Sequence, residues 1–186
     1  MYVSMSGGRP TFTAIKNPDA PAMRVATVWG SPSAANFLVR MTVPNAPVGP
    51  TTRVLGVADV AARVLRPVTL PGGDLDWVTA FDWSGTRALV LGYSGTLYVV
   101  DLTTRQVTGQ VANLVPARPA SGPVLDPSVA TAAGLAYVAS PTQGRVHEVT
   151  VGAGAPAVAR TMNVGGTPLR LAVMGVREDK RLQPAN

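Results

Sequence analysis

The sequence predicts an all-β chain assembled from repeated four-stranded antiparallel units, and three observations carry this. First, a hairpin is written twice. Leu89-Val90-Leu91-Gly92-Tyr93-Ser94-Gly95-Thr96-Leu97-Tyr98-Val99-Val100-Asp101 returns as Tyr137-Val138-Ala139-Ser140-Pro141-Thr142-Gln143-Gly144-Arg145-Val146-His147-Glu148-Val149. Each copy is a short apolar strand, a turn containing Gly and a second short strand. Gly95 and Gly144 are 49 residues apart and Leu89 and Tyr137 are 48 apart, so the second turn is one residue longer. A hairpin recurring at such a period is one supersecondary unit used several times. Second, short β-branched and aromatic runs are cut at even intervals by Gly, Pro, Asn and Ser, as in strands joined by turns. The 19 glycines and 17 prolines fall between apolar runs rather than in a tract, so they act as turn punctuation. Third, helix signals are nearly absent. The one helix-tolerant patch, Val57 to Arg66, is short, rich in valine and stopped by Pro67.

In chain order, strands are predicted at 1–5, 10–15, 23–29, 36–43, 53–59, 63–69, 76–82, 87–92, 95–101, 106–112, 134–139, 144–150, 157–164 and 168–174, with a weaker segment at 122–130. The clearest unit is 76–112. Trp77, Thr79, Phe81 and Trp83 alternate with Val78, Ala80 and Asp82, which crowds aromatics onto one face of its first strand. Ser84-Gly85 turns the chain into a second strand, Ser94-Gly95 into a third, and Thr103-Thr104-Arg105 into a fourth. Four consecutive antiparallel strands of this total length make one propeller blade. A lone meander exposes an apolar face, so the blade must stack on neighbours, and repetition supplies them.

The junctions between units recur as well. Val68-Thr69-Leu70-Pro71-Gly72-Gly73 precedes the Trp77 strand, Val164-Gly165-Gly166-Thr167-Pro168 precedes Leu169 to Val173, and Val28-Trp29-Gly30-Ser31-Pro32 precedes Phe37-Leu38-Val39. Together with Met1-Tyr2-Val3-Ser4, Tyr137-Val138-Ala139-Ser140 and Leu97-Tyr98-Val99-Val100-Asp101, this order of link, inner strand, Gly turn and Tyr-Val strand resembles the β-propeller repeats of the YVTN type. The resemblance implies a β-propeller-like fold of about four blade units, with a domain over 1–176 and a charged tail over 177–186. The unit at 36–69 departs from the pattern, because one of its four strands is not recognisable. The chain opens on what reads as the second strand of a blade and ends on what reads as a first strand. Pairing of 168–174 with 1–5 would close a four-bladed ring. Otherwise the chain is half of a larger ring, and its open blade edges would join two copies into a homodimer.

Composition narrows the function. Apolar residues make up 46% of the 186, and charged residues 14%, which excludes a disordered chain. The net charge is +6, yet the bases are scattered and aromatics are 5%, whereas a nucleic-acid reader gathers its bases on one stripe with stacking aromatics. There is no cysteine, hence no disulfide and no thiolate metal site. The N-terminus lacks the charged and apolar regions of a signal peptide, and no apolar run approaches a membrane span. A cytoplasmic location follows by default, or an extracytoplasmic one within a longer secreted parent.

Candidate chemistry is sparse. Asp74, Asp76 and Asp82 lie at even spacing on one predicted strand face, and Asp74 and Asp76 fall near the channel mouth. Paired carboxylates can hold a divalent cation or divide acid and base work. The competing reading makes Asp74 a turn residue after Gly72-Gly73 and Asp82 a cap on the Trp83-Ser84-Gly85 turn. His147, the only histidine, adjoins Glu148, but adjacent strand residues face opposite sides, and His147 occupies the position of Tyr98 in the other copy. Trp29, Trp77 and Trp83 read as packing between blades, with a stacking role at a ligand site for one that is exposed. The glycine pairs at 72–73 and 165–166 have no helix behind them and read as links rather than phosphate loops. The leading expectation is a non-enzymatic binding or scaffolding module, with a protein or small-molecule ligand at the channel mouth contacted by Asp74, Asp76, Trp77, His147 or Glu148. The alternatives that the resemblance implies are a cation-dependent lactonase-like hydrolase at Asp74 and Asp76, and a carrier for a metal or small ligand in the cell envelope.

Overall fold

A computed structural model describes residues 2–6, 9–13, 23–30, 36–59 and 61–173. A hairpin of β1 (Tyr2–Ser6) and β2 (Arg9–Thr13) precedes three four-stranded antiparallel meanders. The first contains β3 (Arg24–Gly30), β4 (Asn36–Thr42), β5 (Arg53–Asp59) and β6 (Val64–Val68). The second contains β7 (Asp76–Phe81), β8 (Arg87–Gly92), β9 (Leu97–Asp101) and β10 (Val107–Val111). The third contains β11 (Ser128–Ala132), β12 (Leu135–Ser140), β13 (Arg145–Thr150) and β14 (Ala157–Asn163). In each sheet the strands lie in sequence order.

The sheets stack face to face through two apolar interfaces. Leu38, Leu55, Val57 and Val68 of the first sheet meet Ala88, Val90, Tyr98 and Val100 of the second. Leu89, Leu91, Leu97 and Val99, on the other side of the second sheet, meet Ala136, Val138 and Val149 of the third. This explains the continuous apolar run at 88–91. Each of Ala88, Leu89, Val90 and Leu91 is fully buried, because β8 has a neighbouring sheet on both sides. Full burial of one such leucine contributes roughly 2–3 kcal/mol. Strands β7 and β11 begin their sheets and lie side by side, where the Thr131 hydroxyl donates to the Phe81 carbonyl at 2.8 Å. The innermost strands begin at Arg24, Asp76 and Ser128, so the structural repeat is 52 residues. The outermost strand β14 is exposed along almost its whole length.

The repeated turns behave alike. Gly95 adopts φ +80° and its carbonyl accepts the Leu114 N–H at 2.9 Å. Gly144 adopts φ +63° and its carbonyl accepts the Val164 N–H at 3.0 Å. Each hairpin turn therefore docks the link that leaves its own sheet. The strand-ending aspartates are also used alike. Asp59 accepts the Ala62 N–H, and Asp101 accepts the Thr103 and Thr104 N–H groups. The Thr104 N–H bond, helped by the other donors and opposed by burial, holds the Asp101 carboxyl below the usual aspartate range.

Four sequence expectations need correction. The unit at 36–69 holds three strands, β4 to β6, and the fourth strand of its sheet is β3, which lies before it in the chain and begins the sheet. Gly30 pairs with Phe37, so Val28 to Gly30 ends a strand that shares its sheet with β4 rather than leading to the next sheet, and Ser31 and Pro32 lie outside the described residues. The closing strand expected at 168–174 is not formed over 168–173, and residue 174 onward, with the whole of the tail at 177–186, lies outside the described residues. Pro127 delays the weak strand of 122–130, which forms as β11 at Ser128–Ala132. The alternation along β7 breaks at Trp77, because Asp76 pairs with Gly92 and Val78 with Leu91. This bulge lifts the Trp77 side chain out of the predicted packing face, and Trp83 lies 41% exposed in the following turn.

Candidate functional site

The face defined by the β6-to-β7 link carries the irregular features of the chain. On this face the β8–β9 and β12–β13 turns are short, at 93–96 and 141–144, whereas the β4–β5 loop runs from 43 to 52 and the β10-to-β11 link from 112 to 127. Both long segments are stiffened by proline, with Pro44, Pro47 and Pro50 in the first and Pro116, Pro119, Pro123 and Pro127 in the second. They flank the second sheet on either side. Per-repeat insertions gathered on one face of a repeat fold are characteristic of a binding surface.

Between them sits a cluster of arginines and aromatics. Asp76 begins β7 and is only 2% exposed. Arg40 Nε, from β4, donates to its Oδ2 at 2.7 Å, and Arg40 Nη2 also pairs with that oxygen. Arg53 Nε, from the start of β5, reaches Oδ1 at 3.3 Å. Arg53 Nη2 donates to the Asp76 carbonyl, and its Nη1 donates to the Tyr93 hydroxyl at 2.6 Å. The Arg40 guanidinium lies 5.0 Å from the centre of the Trp29 ring. One buried carboxylate thus ties the first sheet to the second at the mouth.

Asp74 has a different task. Its Oδ1 accepts the Leu75 and Ser94 N–H groups at 2.8 and 3.1 Å, and its Oδ2 accepts the Ser94 and Tyr98 hydroxyls at 2.5 and 3.0 Å. Four donors occupy the acceptor capacity of the carboxylate, which pins the link onto the β8–β9 turn. A Cβ on Gly92 would lie 2.0 Å from Asp74 Oδ2, so glycine is required there. Burial, followed by the adjacent Asp74, raises the Tyr98 phenol above its usual range. Asp82 sits at the far end of β7 and caps its turn, accepting the Ser84 hydroxyl and the Arg87 N–H and Nε. The three aspartates do not share a face. Among the described residues no group of three or more His, Asp or Glu side chains converges as a metal site.

Trp77 and Tyr93 complete the cluster. Trp77 Nε1 donates to Asp126 at 2.8 Å, and its ring meets Tyr93 edge-on with centroids 6.2 Å apart. Tyr93 also carries the Arg53 and Arg118 guanidiniums, 5.0 and 4.7 Å from its centroid. Its backbone N–H donates to Leu75 and its carbonyl accepts the Arg118 N–H at 2.7 Å. Of the sequence candidates, Asp74, Asp76 and Trp77 therefore gather at the mouth. The sequence reasoning missed Arg40, Arg53, Tyr93, Arg118 and Asp126. Two signals point to this face: an aromatic residue inside the Gly92-Tyr93-Ser94-Gly95 turn, and long proline-bearing gaps between predicted strands.

His147 and Glu148 lie elsewhere. His147 pairs with Val138 and faces the second sheet, in the place that Tyr98 takes one repeat earlier. It is 7% exposed, with Nδ1 3.0 Å from the Thr161 hydroxyl and a buried Nε2 that has no partner. The Thr161 hydroxyl can donate to Nδ1 or accept from it, according to the ring tautomer. Glu148 turns to the opposite face and pairs with Arg160 at 2.8 Å. Burial, and then the Arg145 charge, lower the His147 pKa. The unfolded chain takes up this proton near pH 6.5, before the folded one does, so stability is held above about pH 6.5 and falls as pH drops through the folded-state pKa. His147→Gln should flatten that slope in urea unfolding measured between about pH 7 and 5.5, a window above ordinary carboxylate titration. An unchanged slope would show that His147 does not cause it.

Stacked four-stranded meanders with their first strands innermost are the blades of a β-propeller, and the protein belongs to that fold class. Among solved structures the chain is similar to apo AztD from Citrobacter koseri, with a TM-score of 0.70 and 17% identity over 91% of this chain and 43% of that one. It is similar as well to Hsv2 from Kluyveromyces marxianus (TM-score 0.52, 10% identity, 75% of this chain and 46% of that one). Hsv2 from Kluyveromyces lactis gives a TM-score of 0.53 at 10% identity, over 75% of this chain and 47% of that one. The chain thus spans less than half the length of the structures it matches, and the likeness is one of fold. No family model matches the sequence, and no curated protein matches it.

Proposed function

We propose that the protein is a β-propeller binding module, of the degenerate YVTN repeat type, whose recognition face is the one that carries the 43–52 and 112–127 segments. The observation that carries this reading is the concentration of both long, proline-braced segments on one face, around Tyr93, Trp77 and Arg118, while the short turns keep the scaffold rigid. Binding residues on loops held by a rigid frame are the ordinary use of such an architecture. Proline bracing and the stacked arginines reduce the ordering cost of binding. The cation-dependent hydrolase reading is less well supported, because Asp74 and Asp76 already accept bonds from protein donors.

Saturation-transfer NMR with a library of small aromatic and carboxylic compounds tests the reading. Compounds that bind the native protein should lose their signal with Tyr93→Ser, while the urea midpoint shows that the variant remains folded. Retention of all hits by the folded variant would contradict the proposal.

A further inference from the structure

The rim opposite the recognition face holds a charge-lined crevice between the first two sheets. Val57, Asp59 and Arg66 of the first sheet line it together with Leu102, Thr103 and Arg105 of the β9–β10 turn, around a volume of about 100 Å³. Val57 and Leu102 are buried and give it an apolar base. Arg66 stands on β6 opposite Val57. Arg105 leaves its turn from a left-handed position (φ +63°), which its N–H bond to the Asp101 carbonyl at 2.8 Å holds in place. Among the described residues neither guanidinium forms a hydrogen bond or an ion pair. Asp59, in the same wall, is not ion-paired either. It accepts the Ala62 N–H at 2.9 Å and closes its own turn. The crevice therefore carries two positive charges against one negative.

Stacking the blades does not require these arginines. The same junction recurs between the second and third sheets, with Val99 in the place of Val57 and Val151 in that of Leu102. There Gly109 pairs with Val99 as Arg66 pairs with Val57. The β13–β14 turn presents Gly152 and Gly154 where the β9–β10 turn presents Thr103 and Arg105. The arginine that lines the second junction, Arg87, is engaged by Asp82 and by the Gly152 carbonyl. The first junction thus brings together two unspent guanidiniums from different sheets. Like charges so placed repel each other, and an anion between them removes the repulsion.

We propose that this crevice is an oxyanion site, in which Arg66 and Arg105 share a phosphoryl group and the Thr103 hydroxyl is a further donor. Guanidinium forks match phosphate oxygens through parallel charge-assisted bonds. The crevice is open at the rim, so it takes either the free ion or the head of a phosphomonoester. The site is independent of the recognition face.

Isothermal titration at low ionic strength with inorganic phosphate, glycerol 3-phosphate and glycerol provides the test. Both phosphates should bind, and glycerol should not. Arg66→Gln and Arg105→Gln should each weaken phosphate at least about tenfold, the scale of one charge-assisted bond. Their urea midpoints should match that of the native protein, since neither guanidinium has an internal partner to lose. Arg63→Gln removes the same charge from the neighbouring β5–β6 turn, outside the crevice, and should leave the affinity within about twofold. Tyr93→Ser should leave phosphate binding unchanged, so failure here and failure of the recognition face are read separately. Preference for glycerol 3-phosphate would support the site as one for a phosphomonoester, and preference for phosphate would support it as one for the free ion. Equal weakening by Arg63→Gln would reveal general attraction to a basic surface and overturn the proposal. No binding of phosphate by the native protein, or an undiminished affinity in both crevice variants, would overturn it as well.

Discussion

Asp76→Ala is expected to cost about 3–5 kcal/mol of stability, the scale on which removal of one partner from a buried ion pair acts. The reason is the company that Asp76 keeps. At 2% exposure it compensates Arg40 and Arg53, and both of those side chains are themselves largely shielded, at 19% and 11%. Without the carboxylate two guanidiniums remain in a poorly hydrated cleft at the junction of the first two sheets. Arg40→Ala should cost less, because Arg53 continues to pair with Asp76 and the lost charge leaves no excess behind. Urea unfolding distinguishes these outcomes, through a lower midpoint at an unchanged slope. A loss below about 1 kcal/mol for Asp76→Ala would mean that the pair is solvated rather than buried.

Gly95→Ala is expected to destabilise by about 3 kcal/mol or more, through two effects that act together. The residue adopts φ +80°, where a Cβ is strained, and that Cβ would lie 1.9 Å from the Val115 carbonyl oxygen. The same contact holds the long link, since Leu114 and Val115 both donate to the Gly95 carbonyl. Gly122, at φ +88° with nothing within 4 Å, isolates the backbone contribution, so Gly122→Ala should cost only about 1–2 kcal/mol. Gly144→Ala should fall between the two, its Cβ meeting the Gly166 carbonyl oxygen at 2.9 Å. Circular dichroism melts rank the three. Equal costs would show that the link is not docked on the hairpin turn.

The repeated hairpin was legible because local residues specify it. Apolar strands around Gly95 and Gly144 are marked by pattern and turn chemistry alone, and the equivalence of Tyr98 and His147 survives in three dimensions, since both face the preceding sheet. The phase of the first sheet was not legible, because Val28 to Pro32 has the composition of a link, while the pairing of Gly30 with Phe37 puts β3 and β4 in one sheet. The bulge at Trp77 was hidden for a related reason. A strict alternation of Trp77, Thr79 and Phe81 carries no mark of the residue at which the ladder slips. The site was half visible. Asp74, Asp76 and Trp77 announced themselves by spacing and position, but Arg40 and Arg53 lie 36 and 23 residues from Asp76 and reach it across a sheet interface. Nothing local distinguishes those arginines from the others scattered along the chain. Asp74 illustrates the converse, a residue conspicuous in sequence whose carboxylate is consumed by Leu75, Ser94 and Tyr98.

The most direct measurement is amide chemical-shift mapping of the native protein with a mixed panel of small organic fragments. Recognition on the proposed face predicts perturbations concentrated at 43–52, 93–96 and 112–119. Concentration instead on the opposite rim, at 82–86, 102–106 and 133–134, would contradict it.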